Sequence, residues 1–565
     1  MNNVKILFLL CTLLYHKKQL YSYGDYDDRI KNRLLIRQAF FLNDKEKQNS
    51  TKKTKKRLNP LGDPWLSYVE NIYEYKNIKI GYSLLKKSGE RISKIIPGKT
   101  IFLYNSNNEF FLVENVSIIK KIIIGDFSLG FGQGLVFNNS FIFRPLEQIK
   151  VIKIQRGIER INNHVANKIK GLAGTFKISN NISTTLFAGK NYIDGRVFNN
   201  TITSACRRLT YDSNKNIEKK NKIKETIKGF NFLFYNKDDS LEIGFNFVKT
   251  TFNLPFQPVK KISHLFQGNS NINYSYFARY LLGPIHFFLE HAYSRAEETS
   301  FTKKFGHGKA LLCGFIANTV KEIDIALCYR KYAPNYYNFY GRSFCVCNNA
   351  NSSKLKGAGK NERGLYFCTL IKIYNNLNLT YSYDTYKNPW QSYNYKCRNG
   401  HEHLLSIKYY QKRNVFSLFL KEKMQSITTR KGETIKNNTY YIKGNMKLTW
   451  DNNIVLLVQK HISFEKISKI SAGVYLCLTI PFKKNKIDIF LIAAKISGNK
   501  NLYINKKKGY REQGSTTINN NVFILGFSLN IKISRKLLIN IFFEYCYKKK
   551  YNNMPNIKIS LVSLS

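Results

Sequence analysis

Residues 375–384, NNLNLTYSYD, are the stretch from which the fold is read. An Asn pair suited to a tight turn opens it, and Leu377, Leu379, Tyr381 and Tyr383 then alternate with Asn378, Thr380, Ser382 and Asp384. A period of two puts the apolar set on one face of an extended strand and the polar set on the other. The pattern recurs in Leu241, Ile243, Phe245 and Phe247, and in Tyr440, Ile442, Met446, Leu448 and Trp450. Near the end it appears twice more, in Phe523, Leu525, Phe527, Leu529 and Ile531 and then in Leu537, Ile539, Ile541, Phe543 and Tyr545. Aromatics at 14% and only 11 prolines favour long strands.

Alternation alone suits a soluble sandwich as well as a membrane barrel. The connections separate the two. Tight turns are expected near Lys237–Asp239, Gly283-Pro284, Asn318–Lys321, Asn375-Asn376, Lys412–Asn414, Asp451–Asn453, Lys483–Lys486 and Ser534-Arg535. Longer polar connections lie between them, near 191–227, 252–270, 296–306, 336–361, 387–400, 427–437 and 502–519, with one short exception at Glu465–Lys469. A short, long, short, long order is that of an up-and-down transmembrane barrel with tight turns at one rim and larger loops at the other. The expectation is an all-β barrel of about 22–26 antiparallel strands over residues 61–565, placed in the cell outer membrane, with Ile557–Ser565 as closing strand. Glu242, Asp384, Lys443, Lys447 and Glu544 then point into the lumen. Such a barrel has outer-membrane lipid and the barrel-assembly machinery as partners.

Met1–Ser22 has the form of a signal peptide, with an apolar core, Ile6–Tyr15, too short to span a bilayer as a helix. Residues 23–60 form a Lys-rich lead-in whose apolar patch, Leu34–Leu42, suits a first strand. No apolar run reaches 18 residues, so no membrane helix is expected. The net charge of +55 suggests DNA, an anionic polysaccharide or anionic lipid as partner, and the Lys-rich loop Asn214–Lys228, with Lys219, Lys220, Lys222, Lys224 and Lys228, is the candidate anion-binding element. The even scatter of that charge also fits a simple compositional bias.

A second stretch, Ile122–Phe137 (IIIGDFSLGFGQGLVF), places Gly125, Gly130, Gly132 and Gly134 where a strand would continue. Glycines there mark a bend or a close backbone approach. Read as a strand, it gives Gly130, Gly132 and Gly134 one bare face that points into the lumen, with Leu129, Phe131, Gln133 and Leu135 on the other.

Several motifs follow in order: Leu61-Gly62-Asp63-Pro64, Gly81-Tyr82, Lys87–Glu90, Gly125-Asp126-Phe127, Phe131–Leu135, Lys170–Gly174, and Leu186–Lys190 with Asp194. In these the chain resembles the Bacteroidetes-type exported helix-hairpin-helix (competence-protein-like) family, whose large C-terminal part is similar to an outer-membrane barrel. The resemblance implies the barrel alone, because 23–60 has no room for the DNA-binding helix-hairpin-helix repeats.

Catalytic, cofactor and metal readings find little support. The glycine run lacks GK[ST] and a following helix. His401 and His403 flank Glu402 with no third ligand in view, and His286 and His291 point to opposite faces with no serine motif. No catalytic constellation, cofactor or metal is expected. The ten cysteines form no CxxC pair, although Cys345, Cys347 and Cys397 would be close enough to pair if they sit on neighbouring loops. The leading reading is a channel or translocation conduit. The alternatives are a surface module binding DNA or an anionic glycan, and a soluble secreted all-β adhesin.

Overall fold

The computed structural model describes the chain between Ile30 and Ser563 apart from connecting stretches, the longest being 42–65, 139–155 and 346–360. The expected signal segment 1–22 lies outside the described residues. Among the described residues, twenty-six strands belong to one sheet. Two are short side pieces, Gly157–Arg160 and Thr201–Cys206, and the other 24 succeed one another in chain order, each antiparallel to the next. The first strand, Ile30–Phe41, pairs with Leu66–Tyr75 on one side and with the last strand, Tyr551–Ser563, on the other. The sheet is therefore closed and has no free edge.

The wall thus begins at Ile30, not at residue 61. The apolar run inside the Lys-rich lead-in is a wall strand, because an even-stranded barrel needs a partner for its last strand. Many strands also outrun their apolar centres: Ile182–Phe198, Leu241–Phe256, Cys397–Gln411 and Asn414–Thr428 continue into residues expected to be loop. Polar residues above the bilayer read as loop in the sequence, yet they keep their ladder hydrogen bonds.

Register aligns the alternation across neighbouring strands. One outward row reads Leu289, Cys313, Tyr329, Leu365 and Thr385, and the next Phe287, Phe315, Leu327, Phe367 and Tyr383. Inward positions on the same strands carry Glu290, Ser294, Arg330, Ser382 and Asp384, all buried. On the strand Glu362–Tyr374 the outward apolar positions span Leu365 to Tyr374, roughly 30 Å along the chain and roughly 23 Å across a bilayer at a ~40° tilt. That is close to the ~25 Å apolar band of outer-membrane barrels. A closed sheet satisfies every ladder group internally, as hydrocarbon requires, and no described helix is long and apolar enough to cross a membrane. The chain is an outer-membrane β-barrel. Connections at 76–77, 117–118, 283–284, 375–376 and 412–413 gather on one rim, and the long ones on the other. Connections 429–433, 465–469 and 549–550 are short although they belong to the long-loop rim.

A charge in the middle of the outward band should be costly. Ile325→Arg, level with Thr369 at the centre of that band, is expected to lower stability by about 2–4 kcal/mol, measured as a reduced urea midpoint in lipid vesicles, whereas Ser382→Ala on the lumen face should shift it far less.

Candidate functional site: two inward loops on a polar wall

The strand Ile119–Gly130 carries the first of the glycine motifs. At Gly125 the backbone turns to φ +111°, and a Cβ there would stand 2.2 Å from the Glu109 carbonyl. The Asp126 carboxylate accepts the Glu109 N–H at 3.0 Å and meets Lys168 at 3.1 Å. A side chain thus takes over where the ladder with Ser106–Val116 stops.

The strand ends at Gly130. Contrary to the strand reading, Gly132, Gln133 and Gly134 belong to a compact loop, Phe131–Asn138, that turns into the lumen and is buried throughout. Phe131 N–H donates to the Phe137 carbonyl at 3.3 Å, and the two rings meet edge to face. Gly132 has φ +59° and Gly134 φ +86°, and a Cβ on Gly132 would lie 2.9 Å from the Glu290 carboxylate. The N–H groups of Gln133 and Leu135 converge on Oε2 of Glu290 at 2.7 and 3.0 Å, and Ser275 Oγ donates to Oε1 at 2.8 Å. The glycine-rich loop is therefore a small backbone anion cradle, and its anion is a carboxylate from the barrel's own wall.

A second loop, Ala333–Cys345, follows the strand Ile323–Tyr332 and packs on the first. Tyr336 O–H donates to the Leu135 carbonyl at 2.9 Å, Asn338 Nδ2 donates to the same oxygen, and Asn138 N–H donates to the Tyr340 carbonyl at 3.1 Å. The Asn338 side-chain Oδ1 accepts the N–H groups of Tyr340 and Gly341, which sets the turn. Tyr340 O–H donates to Glu225 at 2.7 Å, and Arg207 grips that carboxylate through two bonds of 2.7 and 2.6 Å. The Arg207 guanidinium lies 4.4 Å from the centre of the Tyr340 ring. Burial pushes the Tyr336 and Tyr340 phenols well above their ordinary values, so both remain donors. Farther round the wall, buried Arg330 joins Glu362 at 2.6 Å and Asp384 at 2.8 Å under the Phe344 ring.

The stretch of wall that follows differs. The buried apolar cluster draws on residues between Ile72 and Cys368. On the strands Cys397–Gln411, Asn414–Thr428 and Thr434–Thr449 the inward positions carry Lys408, Lys421, Lys423, Lys443 and Lys447. Lys421 and Lys423 bracket Glu402 at 2.8 and 3.0 Å, and the ammonium groups of Lys408 and Lys443 approach the Phe419 ring. Lys443 and Lys447 stand inward as the alternation predicts, as do Glu242 and Asp384; the side chain of Glu544 lies outside those described.

The candidate anion loop does not stay together. Lys219 accepts the Gly195 N–H through its carbonyl, Lys220 lies over the Tyr211 ring, and Lys222 is exposed at the end of the connection. Lys224 and Lys228 stand on the strand Ile223–Tyr235, facing away from the lumen. His401 and His403 share the outer face beside Tyr381 and Tyr383, while Glu402 points inward. Cys345 and Cys397 are free thiols, and Cys347 lies outside the described residues. Glu225, Glu290, Arg207 and Arg330 carried no sequence signal. Tyr336, Tyr337, Phe339 and Tyr340 did, as a dense aromatic run inside a stretch taken as polar loop.

No protein-family model and no curated protein matches the chain. Solved structures that resemble it include the siderophore receptor PirA from Pseudomonas aeruginosa, at 6% identity and a TM-score of 0.45 over 95% of this chain and 80% of that one. The copper transporter OprC aligns at 8% identity and a TM-score of 0.43, covering 94% and 81%. The E. coli P pilus tip assembly intermediate PapC-PapD-PapK-PapG aligns at 10% identity and 0.43, covering 95% and 61%.

Replacing the clasping carboxylate should release the first loop. Glu290→Ala leaves the N–H groups of Gln133 and Leu135 without their acceptor, at about 1–3 kcal/mol for each buried donor. Amide hydrogen exchange across 131–137 is expected to rise while the wall strands keep their protection.

Proposed function

We propose that the barrel is a transport conduit whose lumen is partly filled by the loop pair Phe131–Asn138 and Ala333–Cys345, and that its cargo is anionic. The observation that carries this reading is the division of the lumen wall. One side is sealed by loops latched to Glu225, Glu290 and Arg330. The next three strands of the wall present Lys408, Lys421, Lys423, Lys443 and Lys447 with a single buried carboxylate, Glu402, among them. A pathway lined by one sign of charge concentrates ions of the other sign, and Lys or Arg side chains that line a pore favour anions. Both loops are held by hydrogen bonds to a few wall groups, which makes their displacement a discrete step of opening.

The same proposal includes membership of the exported competence-protein-like family. Its supporting motifs Gly125-Asp126-Phe127, Phe131–Leu135, Lys170–Gly174 and Leu186–Lys190 lie on the strands and loop that form the sealed side. Insertion by the barrel-assembly machinery belongs to this reading too.

Planar-bilayer recording tests the conduit. The purified barrel, or Glu290→Ala where the native loops hold it shut, is expected to conduct with a reversal potential on the anion-selective side. Lys408→Glu combined with Lys443→Glu should move that potential toward cations. Absence of conductance in both the native protein and Glu290→Ala would remove the conduit reading.

A further inference from the structure

On the outer wall the apolar band ends, at its long-loop edge, in a line of cations. Lys331, Arg363 and Lys387 stand directly opposite one another on three successive strands. All three are exposed, while their chain neighbours Arg330, Tyr332, Glu362, Tyr386 and Asn388 are buried on the lumen side. The outward positions two residues nearer the membrane are Tyr329, Leu365 and Thr385. Along the same edge the line continues through Lys309 and Arg295 to Lys249 and Lys228, which face each other across their strands. Among the described residues, no Asp or Glu holds an outward position in the two rows that contain Lys228 and Lys331.

Like charges set directly opposite across strands repel each other. Elsewhere on this rim the wall supplies its own counter-charge: exposed Lys170 pairs with Glu109 at 2.5 Å. Along the Lys331–Arg363–Lys387 line no described residue supplies one, and the donors point sideways from the edge of a lipid-facing band. That is the height at which headgroup phosphates lie, and basic residues there are drawn to anionic headgroups. A guanidinium flanked by two ammonium groups matches the oxygens of a phosphate.

We propose that Lys331, Arg363 and Lys387 form a binding site for the phosphate group of a lipid in the leaflet at the long-loop rim. The lipid chains lie against Tyr329, Leu365, Leu327 and Phe367. A lipid occupant is favoured over a soluble polyanion because the site opens onto the apolar band and not onto the loops or the lumen.

The test is native mass spectrometry of the detergent-solubilised barrel titrated with phosphatidic acid or with phosphatidylcholine of the same chains. Phosphatidic acid is expected to bind more tightly. The triple variant Lys331→Gln, Arg363→Gln, Lys387→Gln should weaken it by about fivefold for each cation removed, with phosphatidylcholine binding unchanged. If the triple variant loses the heat-dependent gel shift of a folded barrel, Arg363→Gln alone should show the single-cation loss. Equal phosphatidic acid binding in native and variant protein would overturn the proposal. Displacement of the lipid by equimolar inorganic phosphate would make this a free-anion site and overturn the lipid assignment. A variant that loses duplex DNA while keeping phosphatidic acid would assign the line to nucleic acid instead.

Discussion

Seven register pairs, from Leu35↔Val562 to Phe41↔Asn556, join the first strand of the chain to the last. Without them two rows of backbone N–H and C=O groups would face hydrocarbon, each at a cost of several kcal/mol. Closure lets the remaining strands turn apolar side chains outward, and it leaves the lumen as the place where polar side chains collect. The inside-out distribution, with Phe230 and Phe232 exposed and Asn231 buried between them on one strand, follows from that constraint.

Inside the closed wall, buried charge is arranged as clasps. Glu290 is held by two backbone N–H groups and a serine, Glu225 by Arg207 and Tyr340, and Arg330 by two carboxylates. Removing one partner from such a pair strands the other in a poorly solvated site, so the Glu290 and Glu225 clasps fix the loops that complete them. The two loops also need each other. The carbonyl of Leu135 is satisfied by Tyr336 and Asn338 of the second loop, so neither loop closes off its buried polar groups alone. The lysine-lined stretch has no comparable filling among the described residues.

Much of the wall was legible residue by residue. Leu377, Leu379, Tyr381 and Tyr383 announce both their strand and its outward face, and the Asn375-Asn376 turn announces the hairpin. What misled was polarity above the membrane. Lys224 and Lys228 look like loop because they are charged, yet they sit on a regular strand whose outward face has already left the hydrocarbon. The glycine motif misled in the opposite sense. Alternation of Gly130, Gly132 and Gly134 with larger residues mimics a strand, but the positive φ values of Gly132 and Gly134 take the chain off the sheet. Glu290, 157 residues away from Gln133 in the chain, could not be matched to that loop from any local pattern.

By itself the sequence determined the strands, their faces, the alternation of short and long connections, and hence a large closed barrel in the outer membrane. These depend on period and turn chemistry, which act over a few residues. The tertiary structure alone decided that Ile30–Phe41 closes the wall, that Phe131–Asn138 leaves it, and that a second aromatic loop packs beside it. It also decided which carboxylates hold those loops and which cations line up on the outer rim. Those outcomes depend on register between distant strands, and register is set only when the whole ring is joined.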